Sequence, residues 1–210
     1  MPSAPSGARE PVSGRSLRSP ADRPGRPPRP AGTVRRVDLV IRDRQDADLP
    51  ALADLLERQQ PQTRYPFIWP FPRPIEEFLK RPTELRSWVA ELDGELVGHV
   101  AVERVEDDPI GRSWAAAHGA SIDELRCVGV FFSDVSKSGQ GIGSRLLALA
   151  TQVARAEGYP VLDVVTAHRV PIDLYLRRGW RIIDTVQAPW HPETDLPIHL
   201  MILPRSASSV

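Results

Sequence analysis

The chain has 210 residues, enough for one domain with a sizeable core plus a tail. Hydrophobic residues make up 41% and charged residues 26%, with Lys+Arg and Asp+Glu both at 27, so the composition is that of an ordinary globular protein and gives no global charge with which to hold a polyanion. The single cysteine, Cys127, excludes an internal disulfide and a thiolate-cage zinc site. No apolar run approaches the ~20 residues of a bilayer-spanning helix, and Pro, Ser, Gly and Arg interrupt any signal-peptide core near the N-terminus, so the cytoplasm is the expected location.

Composition changes near Thr33. Residues 1–32 hold eight of the 22 prolines and almost no large apolar side chains. They cannot bury enough surface to offset the entropy of ordering, which predicts a disordered tail over residues 1–34. A globular domain is expected over 35–204, with residues 205–210 frayed.

Within it, VRRVDLVIRD reads as a first strand, with Val37, Leu39 and Ile41 alternating. Asp46 and Asp48 offer N-caps to a helix that places Leu49, Leu52, Leu55 and Leu56 on one face and tolerates Pro50 in its first turn. The stretch QPQTRYPFIWPFPRP is too rich in proline for a helix or central strand, yet carries Tyr65, Phe67, Trp69 and Phe71. IEEFLKR reads as a short helix. SWVAEL and ELVGHVAVERV are two strands joined by Asp93-Gly94, the pair favoured in type I′ hairpin turns. Glu106 to Gly119 reads as a polar loop and ELRCVGVFF as a largely buried strand. Cys127 in it is expected to be an inert buried thiol, and His99 a core histidine.

Ser144 to Glu157 is predicted to be a helix with Leu146, Leu147, Ala150, Val153 and Ala154 at helical spacing and Gly158 at its stop. VLDVVT is a strand, Ile172 to Arg178 a short helix ending at Gly179, and RIIDTV and PIHLMIL two further strands. Without strict strand–helix alternation, a mixed sheet with helices on both faces is expected.

The chemistry concentrates in FFSDVSKSGQGIGSRLLALA. A buried strand runs into a loop with Gly139, Gly141 and Gly143, and a helix opens there. Glycines allow close backbone approach and positive φ. The helix start leaves amides without partners under a partial positive charge, so the segment suits phosphate or pyrophosphate. The P-loop pattern fails because no lysine follows these glycines. The dinucleotide fingerprint fails for want of a third glycine after Gly141-Ile142-Gly143. A glycine-rich turn with no ligand is the remaining alternative.

Ser138-Gly139-Gln140-Gly141-Ile142-Gly143, with the following LLALATQVARAEGYPVLDVVTAHRVPIDLYLRRGW, resembles the GNAT superfamily of acyl-CoA-dependent N-acetyltransferases, whose cofactor motif is Arg/Gln-x-x-Gly-x-Gly/Ala. The strong motifs lie in Phe131 to Trp180, and the order of elements matches more weakly from Val37 to Leu203. Two positions depart from the family pattern. Ser138 stands where the family has Arg or Gln, and His168 where it often has an Asn on the pantetheine arm. Gly179-Trp180 also replaces the usual Gly-Phe.

The resemblance implies an α/β (α+β) fold with a mixed, mainly antiparallel central sheet, splayed where acyl-CoA enters. It further implies that acetyl-CoA is the acyl donor and that no metal is needed. Ser138, Gly139, Gln140, Gly141, Ile142, Gly143 and Ser144 would hold its pyrophosphate, Phe131, Phe132 and Ser133 would face the pantetheine and thioester, and His168 would contact the same arm. Tyr175 would protonate the leaving thiolate, or be a core tyrosine on a short helix. The base that takes the proton from the amine is expected to be Glu124, at the start of ELRCVGVFF, with Glu103 the second candidate. Tyr65 and Trp69, with their aromatic neighbours, would wall an acceptor pocket or form a satellite core. The expected acceptor is a small-molecule or peptide amine, with no nucleic acid or membrane partner and a homodimer left open. The competing reading is a catalytically silent module that binds acyl-CoA as a sensor or scaffold.

Overall fold

Among the described residues, seven strands form one sheet in the order β1-β2-β3-β4-β5-β7-β6, and five of its six pairings are antiparallel. They are β1 (Leu39–Asp43), β2 (Glu84–Leu92), β3 (Glu95–Glu103), β4 (Leu125–Ser133), β5 (Tyr159–Val165), β6 (Arg181–Gln187) and β7 (Pro197–Ile202). The computed structural model describes residues 38–191, 193 and 195–205. The expected tail over 1–34 and the last residues, 206–210, lie outside the described residues.

Among the described residues, five helices flank the sheet: α1 (Leu49–Thr63), α2 (Ile75–Leu79), α3 (Pro109–His118), α4 (Ile142–Glu157) and α5 (Arg169–Arg177). Strand alternation distributes the core between the two faces. Trp88 and Ala90 of β2, Val100 and Val102 of β3, and Leu162 and Val164 of β5 pack with Leu146, Leu147, Ala150 and Ala154 of α4 and with Tyr175 of α5. On the opposite face, Val89 and Ala101 pack with Leu52, Leu55 and Leu56 of α1, and Val161, Ile198 and Leu200 with Trp114 of α3.

The hairpin turn forms as the Asp93-Gly94 pair predicts, with φ of 51° and 88° at its two centres. Two expectations are corrected. Glu106 to Gly119 is not a loop, because α3 occupies most of it. Asp108 caps that helix by accepting from the Gly111 amide at 2.7 Å, Pro109 takes the first turn, and Gly119 ends it at φ 64°. Ile110 and Trp114, four residues apart, supply its inward face. The proline-rich stretch is likewise not wholly irregular, since α1 continues through Pro61 to Thr63. One proline near a helix end removes a single amide, and the Arg64 amide closes the last turn on the Gln60 carbonyl at 2.7 Å. Both α4 and α5 also begin earlier than predicted, at Ile142 and Arg169.

The fold positions the site through two irregularities of β4. It pairs with β5 in parallel at only three positions, Leu125↔Tyr159, Arg126↔Pro160 and Cys127↔Val161, after which the strands part. On its other edge the register slips between His99 and Ala101 of β3, where Val130 adopts φ 45°. A β-branched residue in that region is strained and persists only when its surroundings hold it. His99 does so. Fully buried and stacked on Phe132, it donates from Nδ1 to the Val130 carbonyl at 2.8 Å.

Candidate active site

Where β4 and β5 part, a cavity of about 1370 Å³ opens, lined at one end by Ser138 and Gly143 and at the other by Phe67, Trp114 and Trp190. A pocket for one small ligand typically encloses about 300–1,000 Å³, so this one has room for two reactants.

At the α4 end, the Asp134 carboxylate accepts from the Ser136 amide at 2.8 Å and shapes a turn over Val135–Lys137. Gly139 and Gly141 follow at φ 84° and 77°, and a Cβ on either would meet nothing within 4 Å. The Arg145 amide is bonded to the Gly141 carbonyl at 3.0 Å and closes the first turn of α4. The amides of Ile142, Gly143 and Ser144 therefore sit at the open, positive end of a 16-residue helix. Ser138 differs from its neighbours: its amide and its hydroxyl both donate to the Val135 carbonyl, at 3.2 and 2.7 Å. Gly143 lies 3.4 Å, measured from an ideal Cβ, from both the Phe131 ring and Ser133 Oγ, which seats the start of α4 on β4.

In the middle of the cavity stand Phe131, Phe132, Ser133, Tyr65, His168 and Tyr175. Tyr175 is 6% exposed, with its ring 6.2 Å from those of Phe131 and Trp180. Burial raises its phenol far above the ordinary range, so the group keeps its proton at neutral pH and is a donor. Tyr65 is also held protonated by burial, and its ring packs against Phe78, Phe132 and His168. Burial pushes the His168 imidazole down from its usual value, and its Nε2 is buried without a hydrogen-bond partner.

The acceptor half holds the charged groups. Glu103, 4% exposed, lies 3.4 Å from Arg81 through Oε2, while its Oε1 is buried without a partner. Its room comes from Gly129, where a Cβ would stand 2.5 Å from Oε2. Asp163 of β5 lies just beyond the last paired position; its side chain opens onto the cavity, with protein packed around it. Burial raises the carboxyls of both Glu103 and Asp163, and Arg81 partly offsets the effect. Cys127 shares this half as a free thiol whose pKa burial raises well above its usual value, which keeps it unreactive.

The structure thus brings together Tyr175, Phe131, Phe132, Ser133, Ser138, Gly143, His168, Tyr65 and Glu103 around one space, with residues 139–142 and Ser144 at the neighbouring loop and helix start. Glu124 does not join them. It lies before the paired part of β4, where its Oε2 accepts from the Ser121 amide and hydroxyl at 3.0 and 2.8 Å, which lowers its pKa. Trp69 is half-buried and does not line the cavity, whereas Phe67 and Phe71 of the same stretch do. Asp163, Arg81 and Trp114 escaped the sequence analysis. A lone carboxylate in the apolar run VLDVV was the available signal for the first.

His99 yields a pH prediction. Burial lowers its pKa to about 4 from an ordinary 6.5, so the unfolded chain binds the proton more readily below pH 6.5 and stability falls with pH down to about 4. Between pH 7 and pH 5 this contribution amounts to about 2 kcal/mol. In denaturant titrations at the two pH values, His99→Gln should lack that part of the acid loss; an unchanged difference would remove His99 as its source.

Among the described residues no helix is long and apolar enough to cross a membrane, and no group of three or more His, Cys, Asp or Glu side chains is placed to hold a metal ion.

Residues 50–180 match the sequence model of the Acetyltransferase (GNAT) family, and the chain belongs to that family. It is similar to N-acetyltransferase 8B of Mus musculus, 31% identical over 111 residues, which are 46% of this chain and 43% of that protein. The chain thus matches less than half the length of that relative. In fold it is similar to the ribosomal-protein-S18-alanine N-acetyltransferase of Escherichia coli (TM-score 0.56, 14% identity, 82% of this chain and 99% of that one). It is also similar to Arabidopsis thaliana NAA60 in complex with acetyl-CoA (TM-score 0.58, 18% identity, 79% and 97%).

Proposed function

We propose that this chain transfers the acetyl group of acetyl-CoA to a primary amine. The observation that carries the reading is the meeting, in one cavity, of an amide-rich helix start, a protonated phenol and two carboxylates, Glu103 and Asp163, whose pKa values are raised. A relative in fold, NAA60, is known in complex with acetyl-CoA, which supports the choice of donor.

The residues present fit that donor. Open space stands over Gly139 and Gly141, and the amides of residues 139–144 supply hydrogen bonds and helix-end charge for a pyrophosphate. Acetyl-CoA supplies an activated thioester. The part of β4 beyond Cys127, free of β5, leaves a slot for its pantetheine arm between the strands. Tyr175 holds a proton at its phenol oxygen for the departing thiolate. On the other side, Asp163 and Glu103 attract an ammonium and take its proton at a carboxylate oxygen, directly or through water. Their raised pKa values bring them closer to that task than an ordinary carboxylate.

A silent acyl-CoA-binding module is favoured by one feature, Ser138, whose donors both turn inward to Val135. Thiol release from acetyl-CoA separates the two readings. The full chain should release thiol only when a primary amine is supplied, and Asp163→Asn should lower the rate about 100-fold or more with acetyl-CoA affinity retained. Amine-independent release, or none with any amine, contradicts the enzyme.

A further inference from the structure

The acceptor half of the cavity defines the kind of amine it takes. Acidic and basic side chains line the cavity in equal number, five of each. Two of the acids are engaged elsewhere, Asp108 capping α3 and Glu77 pairing with Arg73 at 3.0 Å, and Glu106 is exposed. Glu103 keeps one oxygen unpartnered, and Asp163 makes no salt bridge among the described residues. With Arg81 beside them, these two carboxylates amount to about one net negative charge. A single ammonium matches it.

Aromatic and aliphatic side chains supply much of the remaining wall. Phe67 and Phe71 come from the loop between α1 and α2, Ile110 and Trp114 from α3, and Trp190 from the connection between β6 and β7. Trp114 is 5% exposed and its Nε1 is buried without a partner, whereas Trp190 is 46% exposed and stands at the rim. Phe67 meets His191 edge to face at 6.2 Å, so the two loops close over the same opening.

We propose that the acceptor is a primary monoamine on an apolar, aromatic-sized body, the ammonium lying at Asp163 and Glu103 and the body between α3 and Trp190. A polyamine carries further charges, for which the wall beyond Asp163 and Glu103 offers only the exposed Glu106, and a charge set against the rings would lose its hydration uncompensated. A peptide N-terminus would bring backbone amides and carbonyls against ring faces with the same result. Aromatic faces, by contrast, favour both a neighbouring cation and a flat apolar body.

This inference rests on the acetyl-transfer reading of the cavity, and two measurements keep the two apart. With the full chain and saturating acetyl-CoA, thiol release should give a kcat/KM for 2-phenylethylamine at least about tenfold above that for spermidine or for a short peptide with a free N-terminus. Trp190→Ala should raise the KM for 2-phenylethylamine about tenfold and leave kcat and the KM for acetyl-CoA unchanged. Preference for spermidine or the peptide, or an unchanged KM in Trp190→Ala, overturns the amine class. Equilibrium dialysis of labelled 2-phenylethylamine and of spermidine in the presence of CoA reads the same walls without turnover. Selective binding of 2-phenylethylamine that Trp190→Ala weakens about tenfold supports the amine class even if no thiol is released, in which case it is acetyl transfer that fails. Equal binding of the two amines overturns the class whatever the turnover.

Discussion

Tyr175→Phe should lower kcat about 100- to 10,000-fold while the affinity for acetyl-CoA stays that of the wild type. The side chain is 6% exposed and lies among Phe131, Trp180 and the cavity, so removing one oxygen leaves the packing in place. What is lost is a proton. Burial holds the phenol neutral, with Tyr65 and Asp163 adding to the effect, so no ordinary working pH ionises it. A thiolate leaving without that donor must carry its charge into a gap lined by rings, where it is poorly solvated. Because the interaction exists only as the bond to sulfur breaks, kcat and kcat/KM should fall together. A variant that turns over at the wild-type rate would assign Tyr175 to the core alone.

The second large effect concerns binding. A ligand selective for the native state, present at a hundredfold excess over its Kd, adds about 2.7 kcal/mol, which for a domain of this size raises the melting temperature by about 5–11 °C. Acetyl-CoA should do this for the wild type. Gly141→Asp should abolish the rise by setting a carboxylate where the pyrophosphate would lie, at the N-terminus of α4. Gly141 has φ 77°, and a Cβ there meets no atom within 4 Å. Asp and Asn tolerate that backbone region better than other residues and incur a similar cost there. Gly141→Asn is therefore the control, and it should keep most of the rise. Loss in both variants, or in neither, would take the donor away from this loop.

These two expectations rest on the part of the molecule that was legible in the sequence. The glycines of residues 139–143, the strand before them and the helix after them are contiguous, so local rules of turn, cap and periodicity were enough to read them. The hairpin at Asp93-Gly94 was readable for the same reason. The acceptor half was not, because its parts come from six separate places along the chain. Arg81 follows α2, Glu103 ends β3, Trp114 lies on α3, Asp163 on β5, Trp190 after β6, and Phe67 after α1. Only the sheet order brings them together. Glu124 shows the difficulty from the other side. It stands just before the strand that carries the site, yet the site lies toward the far end of that strand, where β5 has turned away. Nothing local announces at which end two parallel strands will part.

Helix α3 was hidden differently. Its charged neighbours Asp107, Asp108 and Arg112 read as a solvated loop, although Asp108-Pro109 at its start and Gly119 at its end are the signals of a capped helix. Pro61 misled in the opposite sense, because a proline near the end of a helix removes one hydrogen bond and not the helix. The strained Val130, held by His99, lay beyond any local reading. It depends on a register slip between β3 and β4 that only pairing creates.

The most direct test of acetyl transfer is a single turnover, with the full chain in excess over acetyl-CoA labelled in its acetyl group and an apolar primary amine present. The label should pass from thioester to amide, one acetyl group for each thiol freed, with Tyr175→Phe slowing the transfer and not the binding. Label that stays in bound thioester while the wild-type chain holds both reactants would contradict the account and leave the cavity a binding site without chemistry.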